Sequence, residues 1–401
     1  MPTTTVTTYR AARLYTGLSA TLISDGAVTI TGKTIRYVGP ASSAPVADQV
    51  IDLGDVTLMP GLIDMHVHLT FSSSDHVVED YLSDSDAMRL IRGVENARRA
   101  LMAGLTTVRE CGGQNTHVFA LRAASQEQVI PAPRIIAAGG AITTTGGHCW
   151  FFGLEADSEE DLRRVVRGQV KAGADYIKVM ATGGALTPRT NPIAPQYTEA
   201  QLQAIVEEAR RLGNLRVAAH CHGTAGVLYA AKVGVTTIEH CSFLGPNGYI
   251  FDQEAADAVL ANACYVCPTI AIAERAAQHA DANHPLRRMR ETMVPQRLAN
   301  LRRLHEMGVP FVSGSDAGVT LTPIEDFVYN LTMLVDGVGM SPHEAIQTAT
   351  VIAAEALARP DLGALEEGRA ADLIAVAGDP TSDINALWDV QAVIARGMRY
   401  R

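Results

Sequence analysis

The chain has 401 residues, 47% of them hydrophobic and 19% charged, with 34 glycines, a composition that excludes a disordered or low-complexity protein. Its formal charge of −10, from 33 basic and 43 acidic residues with no Lys/Arg run, argues against a nucleic-acid or anionic-membrane partner. No apolar run reaches the ~18 residues of a membrane span, and MPTTTVTTYR lacks a basic-then-apolar signal pattern, so a cytoplasmic setting is expected. The cysteines at 111, 149, 221, 241, 264 and 267 fall mostly in strand-like runs and outline no disulfide framework. Cys264 and Cys267 form a lone CxxC with no second pair to complete a zinc ribbon, and read as small core residues.

In chain order, residues 1–60 read as short β-strands, with turn signals at Asp25-Gly26 and Gly32-Lys33. From Leu62 the pattern becomes strand, then helix, repeated. Eight strand candidates follow: 62–68, 105–111, 134–139, 176–181, 216–221, 236–241, 264–269 and 310–316. Helix-like stretches at 86–104, 158–173, 198–213, 224–234 and 285–308 lie between them, and each ends at or next to a glycine, the expected left-handed cap. Eight such units in roughly 250 residues predict an α/β fold, a (β/α)8 TIM barrel. The segments 368–380 and 390–401 return to strands. The expected organisation is a barrel over 61–360, interrupting a small β-sandwich domain built from residues 1–60 and 361–401.

Residues that suit metal ligation recur at the ends of these strands. His66 and His68 lie at i and i+2 of the first, hence on one face. Lys178 is embedded in the apolar run YIKVMA. An unpaired buried ammonium is costly, and a neutral amine can take up CO₂ to give a carbamate whose two oxygens can bridge two cations; a buried structural ion pair is the competing reading. His220 ends RVAAH, His240 ends TTIEH, and Asp316 sits between small residues in SGSDAG. Each alone suits a packed histidine or a helix cap. Together they mark five strand ends of one expected barrel, where catalytic groups collect at the C-terminal face. Neutral imidazole and carboxylate suit zinc and similar divalent metals.

The motifs MPGLIDMHVHL, TTVRECGG, IKVMATGG, AAHCHG, TIEHC and SGSDAG, in this order over most of the chain, resemble the amidohydrolase superfamily. The similarity is strongest to its Xaa-Pro dipeptidase-like, Xaa-Arg/Lys carboxypeptidase-like and imidazolonepropionase-like branch. The resemblance implies two divalent metal ions, zinc being the expected metal. His66, His68 and Asp316 would hold the more buried ion, His220 and His240 the more exposed one, with carbamylated Lys178 and a hydroxide between them. Asp316 would also serve as general base. It implies a substrate contact for His148, in TTTGGHCW. His222 stands where some relatives carry a tyrosine that meets the substrate carboxylate, which puts strict dipeptidase specificity in doubt. Arg189, in GGALTPRTNP, is a further candidate for that carboxylate, and Glu110 is read as structural.

The implied function is hydrolysis of an amide C–N bond in a small molecule, an N-acyl amino acid or a dipeptide with a free carboxylate. A cyclic amide of the imidazolone kind, a carbamate or a urea is the alternative substrate. A decarboxylase or isomerase on the same scaffold and a non-catalytic structural homologue are remote alternatives. Relatives of this kind assemble as homo-oligomers, and the same is expected here.

Overall fold

The computed structural model describes residues 5–281 and 283–401. The N-terminal strands are β1 (Val6–Leu14), β2 (Ile23–Thr31), β3 (Thr34–Pro40), β4 (Gln49–Asp52) and β5 (Val56–Pro60). β1 and β2 pair antiparallel from Val6↔Thr31 to Leu14↔Ile23. The turn at Gly32 forms with a positive φ of 57°. Asp25-Gly26 does not turn the chain; it lies inside β2, where Gly26 faces Ala11 on one side and Pro40 on the other. A Cβ at Gly26 would collide with Leu14, so this glycine permits close strand packing instead.

The parallel strands follow as β6 (Leu62–Val67), β7 (Leu105–Glu110), β8 (Arg134–Ala137), β9 (Ile142–Thr143), β10 (Leu154–Glu155), β11 (Ile177–Met180), β12 (Val217–Gly223), β13 (Thr237–Gly245) and β15 (Tyr265–Cys267), with the short antiparallel β14 (Gly248–Tyr249) before the last. They form a three-stranded sheet, β6-β7-β8, and a seven-stranded sheet, β10-β9-β11-β12-β13-β14 with β15 against β13. Seven of the eight expected strands are present within two residues at their starts. The eighth, 310–316, is not a continuous strand. It forms isolated bridges at Val266↔Phe311 and, just beyond, at Val67↔Ala317, joined by separate backbone hydrogen bonds such as Met65 N–H to the Ser313 carbonyl. Gly314 has Cys267 Sγ and His66 Cβ where a side chain would be, and Asp316 has φ 56°, so the ladder is irregular at the site although the Asp316 amide still donates to the His66 carbonyl at 2.7 Å.

Helices lie between the strands. Asp86–Met102 is capped by Ser85, Glu159–Ala172 by Ser158, and Glu199–Arg211 by a Thr198–Gln201 capping box. Thr224–Lys232 and Pro285–Glu306 also correspond to expected helices, the last with Pro295 inside it. Gly104, Gly173, Gly213, Gly234 and Gly308 all have positive φ just after these helices, as the sequence pattern requires.

β16 (Leu373–Ala377), β17 (Val390–Ala395) and β18 (Met398–Arg399) close the chain. β16 pairs with β5, with Leu58 opposite Ala375, so both chain ends share one eight-stranded sheet. Tyr9, Leu14, Val28, Ile35, Leu58, Leu373 and Ile394 form its separate core. Every residue of β6, β7 and β11 is buried. Apolar runs buried on both faces are typical of parallel strands. The charged and imidazole groups in these strands are therefore buried as well and need partners. Both CxxC cysteines are buried free thiols in or next to β15. Among the described residues no helix is long and apolar enough to cross a membrane.

Candidate metal centre and catalytic cavity

A cavity of about 270 Å³ is lined by His66, His68, His148, Lys178, His220, His222, His240 and Asp316 together. These residues come from β6 and the residue after it, the loop after β9, β11, β12, β13 and the segment after Phe311. Eight of the nine residues singled out in the sequence thus converge. Arg189 does not: it is exposed, has φ 67°, and is absent from the lining, although Leu186 and Pro192 of the same loop contribute to it.

Two groups have ligand atoms all within 4.8 Å of one another: His66, His68 and Asp316, and His220, His222 and His240. In the first, Asp316 Oδ1 lies 3.3 Å from Nε2 of both His66 and His68. That oxygen is buried and makes no hydrogen bond. In the second, His222 joins the two expected ligands; its ring stacks on His240 with centroids 4.5 Å apart. A third group, His66 with Cys111 and Glu239, has a poor ligand in Cys111, whose thiol burial pushes up to about 11.

The far nitrogen of each histidine is anchored. His66 Nδ1 donates to Glu239 Oε2 at 2.7 Å, and His68 Nδ1 donates to the Gly112 carbonyl at 2.9 Å. His220 Nε2 donates to the Gly183 carbonyl at 3.1 Å. His240 Nδ1 lies 2.7 Å from Thr269 Oγ1, and His222 Nδ1 2.9 Å from Ser242 Oγ. A carbonyl or carboxylate only accepts, so it fixes the N–H on that side. A neutral ring then presents its lone pair to the cavity. Burial favours the neutral form: it holds His66 at about 4, aided by the nearby Lys178 ammonium, and puts His220 and His240 well below the ordinary value. Such anchoring of the second nitrogen is how metal-ligating imidazoles are held. The donor set fits divalent cations on its own chemistry.

Asp316 supplies charge opposite these rings. Burial pushes its carboxyl up, but His66, His68 and Lys178 together outweigh that and hold it below its usual range. His240 and Asp316 both sit in the left-handed region, at φ 67° and 56°. For residues with a Cβ this costs about 1–2 kcal/mol each, and such strain clusters at functional sites. Lys178 is 1% exposed, its Nζ lies 3.5 Å from His66 Nε2, and it has no carboxylate ion pair among the described residues. The structural ion pair considered for it is therefore not formed.

His148 is 3% exposed and its Nδ1 is buried with no hydrogen-bond partner. Burial lowers its pKa to about 3, so the ring is neutral. Its ring lies 4.7 Å from that of His220. Trp150 is 43% exposed and makes its ring contact with Phe151, with none to His148 among the described residues. Glu110 is fully buried and pushed up to about 7 by that burial, with Oε2 accepting from the Gly112 amide.

Two sets of residues were not legible as functional. Glu239 Oε1 accepts from Arg109 Nη2 at 2.6 Å, while Arg109 also donates to Thr237 Oγ1 and the Met65 carbonyl. This buried pair fixes the carboxylate that orients His66. The signal was present: one lone base and one lone acid, each inside an apolar strand, form a complementary pair. Arg297, on the helix Pro285–Glu306, also lines the cavity and is 8% exposed. Nothing in the local sequence distinguishes it from the surface arginines of that helix.

Residues 57–399 match the sequence profile of the amidohydrolase family. Ochratoxinase of Aspergillus niger is 30% identical, over 92% of this chain and 81% of its own length. Imidazolonepropionase of Cutibacterium acnes is 26% identical, over 88% and 84%. Among solved structures, a Xaa-Pro dipeptidase with methionine bound in its active site is 33% identical, with a TM-score of 0.88 over 99% of this chain and 100% of that one. The chain belongs to the amidohydrolase family and is a hydrolase acting on carbon–nitrogen bonds.

Proposed function

We propose that the protein is a binuclear metal-dependent amidohydrolase that cleaves an amide bond in an N-acyl amino acid or a dipeptide with a free carboxylate. One observation carries this reading: His66 and His68 turn anchored rings toward one buried carboxylate oxygen of Asp316 that has no hydrogen bond of its own, and the anchored rings of His220 and His240 line the same cavity. His66, His68 and Asp316 would hold one cation and His220 and His240 the other, with His222 close enough to assist. Lys178, if carbamylated, would offer two anionic oxygens to both. Two such cations, zinc or another divalent metal that imidazole and carboxylate accept, such as cobalt or manganese, would polarise the scissile carbonyl and activate water at neutral pH.

The remaining work falls to the chain. Asp316 takes the proton lost by the attacking water and passes it to the leaving amine. His148 steadies the substrate carbonyl or carboxylate through a ring nitrogen. The strained backbone at His240 and Asp316 keeps both groups aimed into the cavity. Supporting the carboxylate-bearing substrate is the likeness to a dipeptidase that holds methionine in its active site. The imidazolonepropionase likeness keeps a cyclic amide as the second reading. The same proposal takes the parallel strands as a (β/α)8 barrel over 61–360, completed through the pairings at Phe311 and Ala317, and residues 1–60 with 361–401 as a β-sandwich domain.

The test joins metal analysis to a screen of dipeptides and N-acyl amino acids. Two metals per chain and amino-acid release are expected from the wild type. Lys178→Ala should lose metal and activity together, with partial rescue by short carboxylic acids. Full activity in Lys178→Ala would refute the bridging role.

A further inference from the structure

Arg297 is a buried cation in the catalytic cavity with no carboxylate partner among the described residues. Its Nη2 is held by the Pro268 carbonyl at 2.7 Å and the His240 carbonyl at 3.3 Å. Nε and Nη1 make no hydrogen bond among the described residues, and neither is a sealed buried atom. Burying a guanidinium without a counter-charge is expensive, and folding tolerates it where a ligand supplies the charge. The two carbonyls tie the fork to the backbone of the ligand residue His240. This leaves Nε and Nη1 as charged donors for a carboxylate beside the reacting groups.

The surroundings define what accompanies that carboxylate. Met293 and Val294 lie four and three residues before Arg297 on one helix, and all three line the cavity. Leu244 and Ile272 complete an apolar wall. We propose that Arg297 reads the free carboxylate of the leaving amino acid, and that this wall accepts its side chain, so the substrate is an N-acyl or peptidyl derivative of an apolar amino acid. The inference rests on reading the cavity as an amide-hydrolysing site. It takes the carboxylate role for which Arg189 was one candidate.

The test uses the zinc-loaded wild-type protein, with binding measured by calorimetry beside turnover. N-acetyl-leucine and N-acetyl-phenylalanine are compared with their carboxamides, and with N-acetyl-aspartate and N-acetyl-lysine. The wild type should favour the apolar acids over their carboxamides by about 100-fold or more, because a site built for a charged hydrogen-bonding group rejects its absence strongly. In Arg297→Met that preference should fall to near unity, and Arg297→Lys should restore part of it. A wild type indifferent to the carboxylate, or preferring the charged side chains, overturns the proposal without needing any variant. An undiminished preference in Arg297→Met overturns it as well. Discriminating binding without turnover would sustain the carboxylate receptor while refuting amide hydrolysis. Turnover without discrimination would do the reverse.

Discussion

Gly184 is in van der Waals range of the reacting groups without being one of them. A Cβ built there would stand 2.7 Å from His148 Cδ2 and closer still to Nε2 and Cε1. The closest of these contacts, to Nε2, is 2.3 Å and ordinary contact begins at 3.4 Å, so in Gly184→Ala the ring must retreat by about 1.1 Å (3.4 − 2.3). The ring cannot retreat freely, because His220 lies 4.7 Å away on centroids. Residue 184 has no positive φ, so alanine strains no backbone. Overpacking of this kind costs about 1–3 kcal/mol, small enough for the fold to survive. A misplacement of about 1 Å costs about 100-fold in rate. Gly184→Ala should therefore lower kcat/KM by roughly 10- to 100-fold while both metals remain bound. Steady-state kinetics and metal analysis on the same preparation decide it. In a His148→Ala background the alanine should add no further kinetic loss, since the two changes act through one ring. Wild-type kinetics in Gly184→Ala, or an undiminished penalty in the double variant, would refute the role of His148.

Glu239→Gln leaves Arg109 buried without its carboxylate and weakens the hold on His66 Nδ1. Removing one partner of a buried pair should cost about 3–5 kcal/mol in denaturant unfolding, and metal affinity should fall with it. Removal of metal from the wild type by a chelator should lower Tm, since a cation bound only by the native site stabilises it; an unchanged Tm would argue that no such site is formed. Glu208 offers a pH test away from the cavity. Its hydrogen bond from Arg211, helped by Arg167, lowers its pKa from 4.5 to about 2 against the opposing effect of burial. A lowered carboxylate pKa gives stability that is present above 4.5 and is lost as the pH falls through about 2. In metal-free protein the Tm gap between wild type and Glu208→Gln should shrink over that window; a constant gap would count against the ion pair.

Much of this architecture was legible because it obeys short periods. Fully buried parallel strands read as apolar runs, and each of the five expected helices announces its end with a glycine that the structure puts at positive φ. Metal-ligand residue types stood out because histidine, lysine and aspartate are costly in such runs. The eighth strand was misjudged for a physical reason. The run 310–316 has the composition of a strand, but Gly314 and the left-handed Asp316 make its pairing irregular where a carboxylate faces the cavity, and local pattern does not reveal an irregularity made for tertiary contact. Asp25-Gly26 was misjudged for the converse reason. A dipeptide with turn chemistry was absorbed into β2 because Leu14 needed the space.

Arg189 and Arg297 show where such reading stops. Both are single arginines in polar or amphipathic surroundings, and Arg189 sits in a loop directly after the strand that carries Lys178. Proximity in sequence favoured Arg189. Yet Arg189 lies in a left-handed turn of that loop and is exposed. Arg297 follows the last residue of β13 by fifty-two positions, and reaches the cavity only because its helix packs over β13 and β14. The reacting groups are set by strands, whose alternation fixes which side chains face inward. Substrate preference is set by what the connecting segments lay across the opening, and that depends on packing angles no local period encodes. The two halves of the cavity should therefore respond differently to substitution. Changes at Glu239 or Lys178 should abolish metal binding for every substrate. Changes at Arg297, Met293 or Val294 should leave the metals in place and reorder which amides are cleaved. A variant of the second group that lost its metals would show that the helix is part of the metal centre rather than a wall around the substrate.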